Sequence, residues 1–447
     1  MARDTSGLCA VAGHPDAARQ VWRGLKALQH RGDAGASLAV ADGQQVRMIR
    51  GLDVTASPGG GALDGARGSW ALGQVYGRKG RSPGSGAVTQ MVHGHNRGCE
   101  LVVAVSGRFR NARQLRAELE SQGALFSTRS EAELLAMLIA RSDRGTPVNR
   151  IVDALWQIEG GYAALIMTPD RIVAVRDSQG IRPLVVGKVD EGWAIACEDA
   201  AIRAMGGWVE RELDPGEMLI LDRNGGRVVR PLPRRQVSSC LCELVSVARP
   251  DGHLYGHDVH QFRVELGARL AQESPPPSQD AIVVSLPDGS QSAAIGYANG
   301  VSLAYEPGLM ATSDGEWLAV PGVVRERKVI LVGARMATGA AVRRGVHLLR
   351  EAGAKEVVVC VASPAVRAPC RFGLDSPMQD ELALAPHEDE SVLVARLGAD
   401  EVRCLSHEAL LAVASHGKEG GGAFSALCFG GSPELASEEQ EDQLEMF

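Results

Sequence analysis

Two stretches carry residues that could do chemistry. The first centres on Cys9, in the short apolar run Leu8-Cys9-Ala10-Val11-Ala12-Gly13. A thiolate is a strong nucleophile at neutral pH, although a cysteine in such a run is, taken alone, a small core residue. Polar segments follow it in order: Gln29-His30-Arg31-Gly32, Ser106-Gly107-Arg108-Phe109, Ser130-Glu131-Ala132-Glu133, Arg176-Asp177 through Leu184, Glu198 and Pro215-Gly216-Glu217. The second is Val329 to Pro364. Val329–Val332 reads as a buried strand, and Gly333-Ala334-Arg335-Met336-Ala337-Thr338-Gly339 as a small-residue loop. Val342, Val346, Leu348 and Leu349 then lie near one helical face, Gly353 stops the helix, and Val357–Val361 is another strand. That is a βαβ unit with its loop at the carboxyl end of a parallel strand, where open α/β sheets bind ligands.

The elements around these stretches are those of a large globular chain. At 447 residues, two to three domains are expected. Hydrophobic residues make up 45% and charged residues 23%, an ordinary balance. The net charge of −7 gives no basic face for nucleic acid. No apolar run approaches the roughly 18 residues of a membrane helix. The opening MARDTSGL has no hydrophobic signal core, so a cytoplasmic location is expected. Nine cysteines, an odd count, favour free thiols, a nucleophile or a metal over a disulfide framework.

The order and spacing of the polar segments resemble a class II glutamine amidotransferase domain. More narrowly, they resemble the amidophosphoribosyltransferase family, over residues 7 to 433. Arg176 to Leu184 is the most specific motif of the first half. The loop after Val332 resembles the phosphoribosyl-pyrophosphate loop of type I phosphoribosyltransferases. The resemblance implies an α+β N-terminal-nucleophile hydrolase domain (an αββα sandwich) over 9–235, then an α/β type I phosphoribosyltransferase domain over 236–433 and an acidic tail, 434–447. It makes residues 1–8 a propeptide whose removal would leave Cys9 as residue one. The α-amino group of Cys9, titrating near pH 8, would then take the thiol proton.

The resemblance also shows what is missing. His30, Arg31 and Gly32 match, but the Gln-Glu-Ser that should follow is Asp33-Ala34-Gly35. The oxyanion Asn-Gly is Ser106-Gly107, and one lost oxyanion donor costs about 2.7–4 kcal/mol. The arginine for the glutamine carboxylate is Tyr76, with Arg78 two residues on. The aspartate for the substrate amine is Glu131. In the phosphate loop the two aspartates fall on Gly333 and Ala334, the arginine on Thr338, and the threonines on Ala340 and Ala341. Only Gly339 matches, and Arg335 lies between. Losing two charge-assisted bonds to the ribose removes roughly 3–6 kcal/mol. The basic closing loop is Ala311-Thr312-Ser313-Asp314, with no positive charge. Some family members hold a four-iron cluster on cysteines. Cys240, Cys370 and Cys428 match three ligands and Ser425 stands at the fourth. Cys242 is close to Cys240 and could substitute.

The expectation is a catalytically impaired paralogue with a binding or regulatory role, without an iron–sulfur cluster and with magnesium only if the transferase site is active. It would assemble as a homo-oligomer or with an active family member. The alternative is an active enzyme, either a divergent amidophosphoribosyltransferase or an amidase using Cys9.

Overall fold

The computed structural model describes residues 6–32, 35–52, 63, 65–77, 91–97, 99–233, 235–312, 315–373, 379–416 and 423–430. The readings placed on residues 1–5, 33–34, 78, 313–314 and the tail 434–447 lie outside them.

The first half runs β1 (Ser6–Ala12), α1 (Ala17–Ala27), β2 (Gly35–Ala41), β3 (Val46–Leu52), β4 (Trp70–Tyr76), β5 (Val92–Asn96), β6 (Cys99–Phe109), α2 (Ala112–Ser121), α3 (Glu131–Arg141) and α4 (Pro147–Leu155). It continues through β7 (Gly160–Thr168), β8 (Arg171–Arg176), β9 (Val185–Val189), β10 (Gly192–Ala196), α5 (Asp199–Ala204), β11 (Trp208–Glu212), β12 (Met218–Asp222) and β13 (Gly225–Val229). Two antiparallel sheets form, in the orders β11-β9-β10-β1-β4-β2-β3 and β13-β12-β8-β7-β6-β5. Strand alternation builds the layers. Leu8, Ala10 and Ala12 pack between the sheets against Val102, Ala104 and Leu165, while Cys9 and Val11 pack under α1 against Val21 and Leu25. Val103, Val105 and Ile166 face α2, α3 and α4 on the far side. The result is an αββα sandwich. Ser6, Gly7 and Leu8, expected to end the propeptide, are the first residues of β1 and pair with Tyr76, Val75 and Gln74.

The second half has β14 (Ser238–Cys240), β15 (His253–Leu254), β16 (His257–Asp258), α6 (Val259–Glu273), β17 (Ile282–Ser285), α7 (Gln291–Val301), β18 (Leu309–Ala311), β19 (Trp317–Ala319) and α8 (Pro321–Val324). It ends with β20 (Lys328–Gly333), α9 (Ala340–Glu351), β21 (Glu356–Val361), α10 (Val392–Leu397), β22 (Glu401–Cys404), α11 (His407–Ser415) and β23 (Ala423–Ser425). Strands β17, β20, β21 and β22 make a parallel sheet in the order β17-β20-β21-β22. Ile330, Val332 and Val358 face α6, α7 and α11, and Val329, Leu331 and Val357 face α9 and α10. A sheet covered on both faces needs the continuous apolar runs that the sequence has there. Among the described residues no helix is long and apolar enough to cross a membrane.

Candidate functional site

The strand ends of the sandwich bring together Ser6, Tyr76, Ser106 and Gly107. Ser6 and Tyr76 are partners across β1 and β4. Ser106 Oγ donates to the Ser6 carbonyl at 3.0 Å, and Ser6 Oγ to the Val105 carbonyl at 3.5 Å. Gln74 Nε2 donates to that same carbonyl at 3.1 Å, and an Arg182 guanidinium nitrogen donates to Ser106 Oγ at 3.1 Å. Gly32 closes one wall, where a Cβ would stand 2.6 Å from the Tyr76 carbonyl carbon. Gly107 holds φ +121°, a conformation that suits glycine alone. Gly373, from the second half, packs its backbone on Gly107, leaving no room there for a side chain. Ser6, Tyr76 and Ser106 are all buried.

Cys9 does not join them. It lies three residues along β1, and an odd step puts its side chain on the opposite face of the sheet. Its thiol donates to the Val21 carbonyl at 3.5 Å beneath α1 and is fully buried. Burial, with Cys197 close by, pushes that thiol well above its ordinary range. Cys9→Ala is therefore expected to cost about 1 kcal/mol, an ordinary small-cavity loss seen in urea unfolding, and to change no amide-hydrolysing rate. Ser6 is the residue that sequence reasoning missed. The signal was strand parity: Ser6 shares its face with Leu8, Ala10 and Ala12, the face turned toward Ser106.

His30 and Arg31 belong to a buried charge network. His30 Nε2 is 2.6 Å from Glu198 Oε1, and Arg31 Nε donates to the same oxygen. Arg31 Nη2 donates to Glu243 Oε2 at 2.7 Å, and Arg182 Nη1 lies 3.0 Å from Glu243 Oε1. Glu243 comes from the helical turn after β14, so the network joins the sandwich to the second half. Burial pushes the Glu198 carboxyl up, but Arg31 and His30 outweigh it and hold it well below the usual carboxylate range. Arg31 is thus engaged by two carboxylates. Glu131 heads α3, buried, where Ser130 caps the helix. Asp177 accepts from the amides of Tyr162, Gln179, Ile181 and Arg182, so the most specific sequence motif of this half is a locked turn.

In the second half, Gly333 ends β20 and Ala334 follows, both buried. The Ala334 amide donates to Ser290 Oγ at 2.7 Å, so that donor is already used within the chain. Thr338 Oγ1 accepts from the Ala340 amide at 3.2 Å at the start of α9. Gly339 takes φ +71°, where a Cβ would meet Leu397 and Ala383. Arg335 turns away from the loop, with Nη1 3.6 Å from Cys242 Sγ. Arg344 Nη2 is 2.6 Å from Glu316, beside the β18–β19 hairpin.

Cys242, Cys428 and Cys370 lie around Arg335, and Cys240 is hydrogen-bonded to Cys242. Cys242 lies two residues beyond Cys240, where β14 has ended and the chain turns helical. Cys242 and Cys428 have their sulfurs 3.1 Å apart, and Ser425 is the β23 partner of Cys240. A four-iron cluster needs thiolates set around an iron–sulfide core. With Ser425 at the fourth position, the chain supplies three of the four thiolates that the resemblance calls for.

A sandwich of this kind joined to this parallel sheet defines the class: a class II amidotransferase domain followed by a type I phosphoribosyltransferase domain. Residues 88–204 match the glutamine amidotransferase domain family. The chain is 35% identical to the amidophosphoribosyltransferase of Bacillus subtilis over 91% of its own length and 88% of the relative's. It is 33% identical to that of Archaeoglobus fulgidus over 90% and 93%. The solved structure of the allosteric regulatory enzyme of purine biosynthesis superposes with a TM-score of 0.89, at 33% identity, covering 95% of both chains. The glutamine phosphoribosylpyrophosphate amidotransferase from B. subtilis, complexed with ADP and GMP, gives 0.87 at the same identity, over 95% of this chain and 96% of that one. The chain belongs to the amidophosphoribosyltransferase family.

Proposed function

We propose that this chain is a catalytically impaired member of the family, retained as a cytoplasmic binding or regulatory protein. The observation that carries this reading is that β1 opens at the pocket with Ser6 while Cys9 lies on the opposite face of the sheet. A serine hydroxyl is almost never ionised at neutral pH, whereas a thiol is to a few per cent, so a serine there starts from a far weaker nucleophile. Tyr76 and Ser106 in place of the expected arginine and asparagine deprive glutamine of a carboxylate partner and an oxyanion donor. Gly333 and Ala334 offer no carboxylate to a ribose, and Arg335 is drawn to the cysteines. These losses support a protein that neither hydrolyses glutamine nor transfers its nitrogen. Gly333 and Ala334 likewise offer magnesium no carboxylate.

The buried charge network and both halves' cores are intact, as assembly with a second copy or an active family member would require. Titration calorimetry with magnesium phosphoribosyl pyrophosphate tests the transferase half. No heat of binding up to millimolar ligand is the expected result. Saturable binding that Gly333→Asp leaves unchanged would overturn this reading.

A further inference from the structure

We infer that the β5–β6 hairpin carries a site for a divalent transition metal of the zinc class, on His93, His95 and Glu100. In sequence the triad is His-Gly-His followed by Glu five residues after the second histidine, across an antiparallel pair in which His95 faces Glu100 and His93 faces Val102. Residues two apart on a strand share a face, and cross-strand partners share it too, so all three side chains emerge together. Their ligand atoms lie within 4.8 Å of one another.

The separations are those of ligands to one ion. His95 Nε2 is 3.2 Å and His93 Nε2 3.4 Å from the same oxygen, Glu100 Oε1. Nitrogen and oxygen ligands at 2.0–2.2 Å from zinc in a tetrahedron stand about 3.3–3.5 Å apart. A hydrogen-bonded cluster accounts for these distances less well. His93 Nε2 is buried and makes no hydrogen bond, although it stands beside the carboxylate. A buried ring nitrogen without a hydrogen bond is the kind of group a metal satisfies. Glu100 is held in place from behind, its Oε2 accepting from the Val46 amide at 2.6 Å. That leaves Oε1 turned to the histidines, the outer-shell orientation that ligating carboxylates have.

Exposure completes the picture. The Glu100 and His93 side chains are 16% and 21% exposed, and His95 is 67% exposed, so the fourth position opens to solvent. Two imidazoles, one carboxylate and an open position suit zinc, and copper and nickel more loosely. Glu100 is six residues from Ser106 along β6, about 20 Å, so this site is separate from the pocket.

The test uses the full chain, stripped with a chelator. Zinc titrated against a chromophoric competitor is expected to bind at one equivalent, with His93→Ala and His95→Ala each weakening it at least about tenfold. His95 is exposed enough that its removal should leave the fold intact, which circular dichroism checks. Cobalt(II) in place of zinc should give ligand-field bands without a thiolate charge-transfer band. Absence of stoichiometric binding overturns the inference. So does binding that both variants retain, or a thiolate band, which would put the ion on Cys240, Cys242 and Cys428.

Discussion

Arg31→Met is expected to destabilise the protein by about 3–5 kcal/mol, the usual consequence of removing one partner from a buried ion pair. Arg31 and Glu243 are fully buried and Glu198 nearly so. The substitution keeps most of the side-chain volume but leaves two carboxylates short of their cation. The pH dependence separates this cause from lost packing. In the native protein the Glu198 carboxyl is held below its ordinary range. Its contribution is therefore complete above the unfolded glutamate pKa, near 4.3, and fades as pH falls through the folded value. In the variant the Glu198 carboxyl loses Arg31 and burial pushes it up instead, so the deficit shrinks as pH falls from neutral toward 5. Urea unfolding of both proteins across that range measures it. A deficit constant with pH would contradict the electrostatic cause. Arg31→Met combined with Glu243→Gln should recover part of the loss, because the two residues share one network.

Gly267→Ala and Gly296→Ala are each expected to cost about 2 kcal/mol. Helices α6 and α7 cross at these two positions. A Cβ on Gly267 would run into the Ala293 carbonyl, and one on Gly296 into the Val264 carbonyl. Alanine normally gains about 1 kcal/mol over glycine within a helix. Overpacking a close contact costs about 1–3 kcal/mol or more, and backbone atoms cannot move aside as side chains do. The clash therefore outweighs the propensity gain. Gly322→Ala, in α8 with nothing near its Cβ, is the control and should not destabilise. The double variant should fall short of the sum of the singles, since both open the same helix pair. Urea midpoints of the four variants against the parent protein decide this.

Much of the fold was legible because apolar patterns are local. Val329–Val332 and Val357–Val361 were readable as buried strands, with Gly333–Gly339 between strand and helix. The Arg176–Leu184 motif pointed to the sandwich. The candidate site was less legible. Cys9 attracted the nucleophile role because it was the first thiol in an apolar strand. Which face a strand residue takes depends on register against β4 and α1, and a shift of three residues reverses it. The His-Gly-His and Glu100 grouping passed unread because its members meet only through the β5–β6 pairing. Arg31, expected at the glutamine pocket, is held instead by Glu198 and Glu243, far from it in sequence.

The central claim is that the amide site no longer works. The most direct measurement is glutamate release from glutamine by the purified full chain, with and without phosphoribosyl pyrophosphate and magnesium. Pyrophosphate release is followed in the same samples. The account predicts neither product above a protein-free blank. Glutamate release that phosphoribosyl pyrophosphate stimulates, and that Ser6→Ala or Cys9→Ala abolishes, would contradict it.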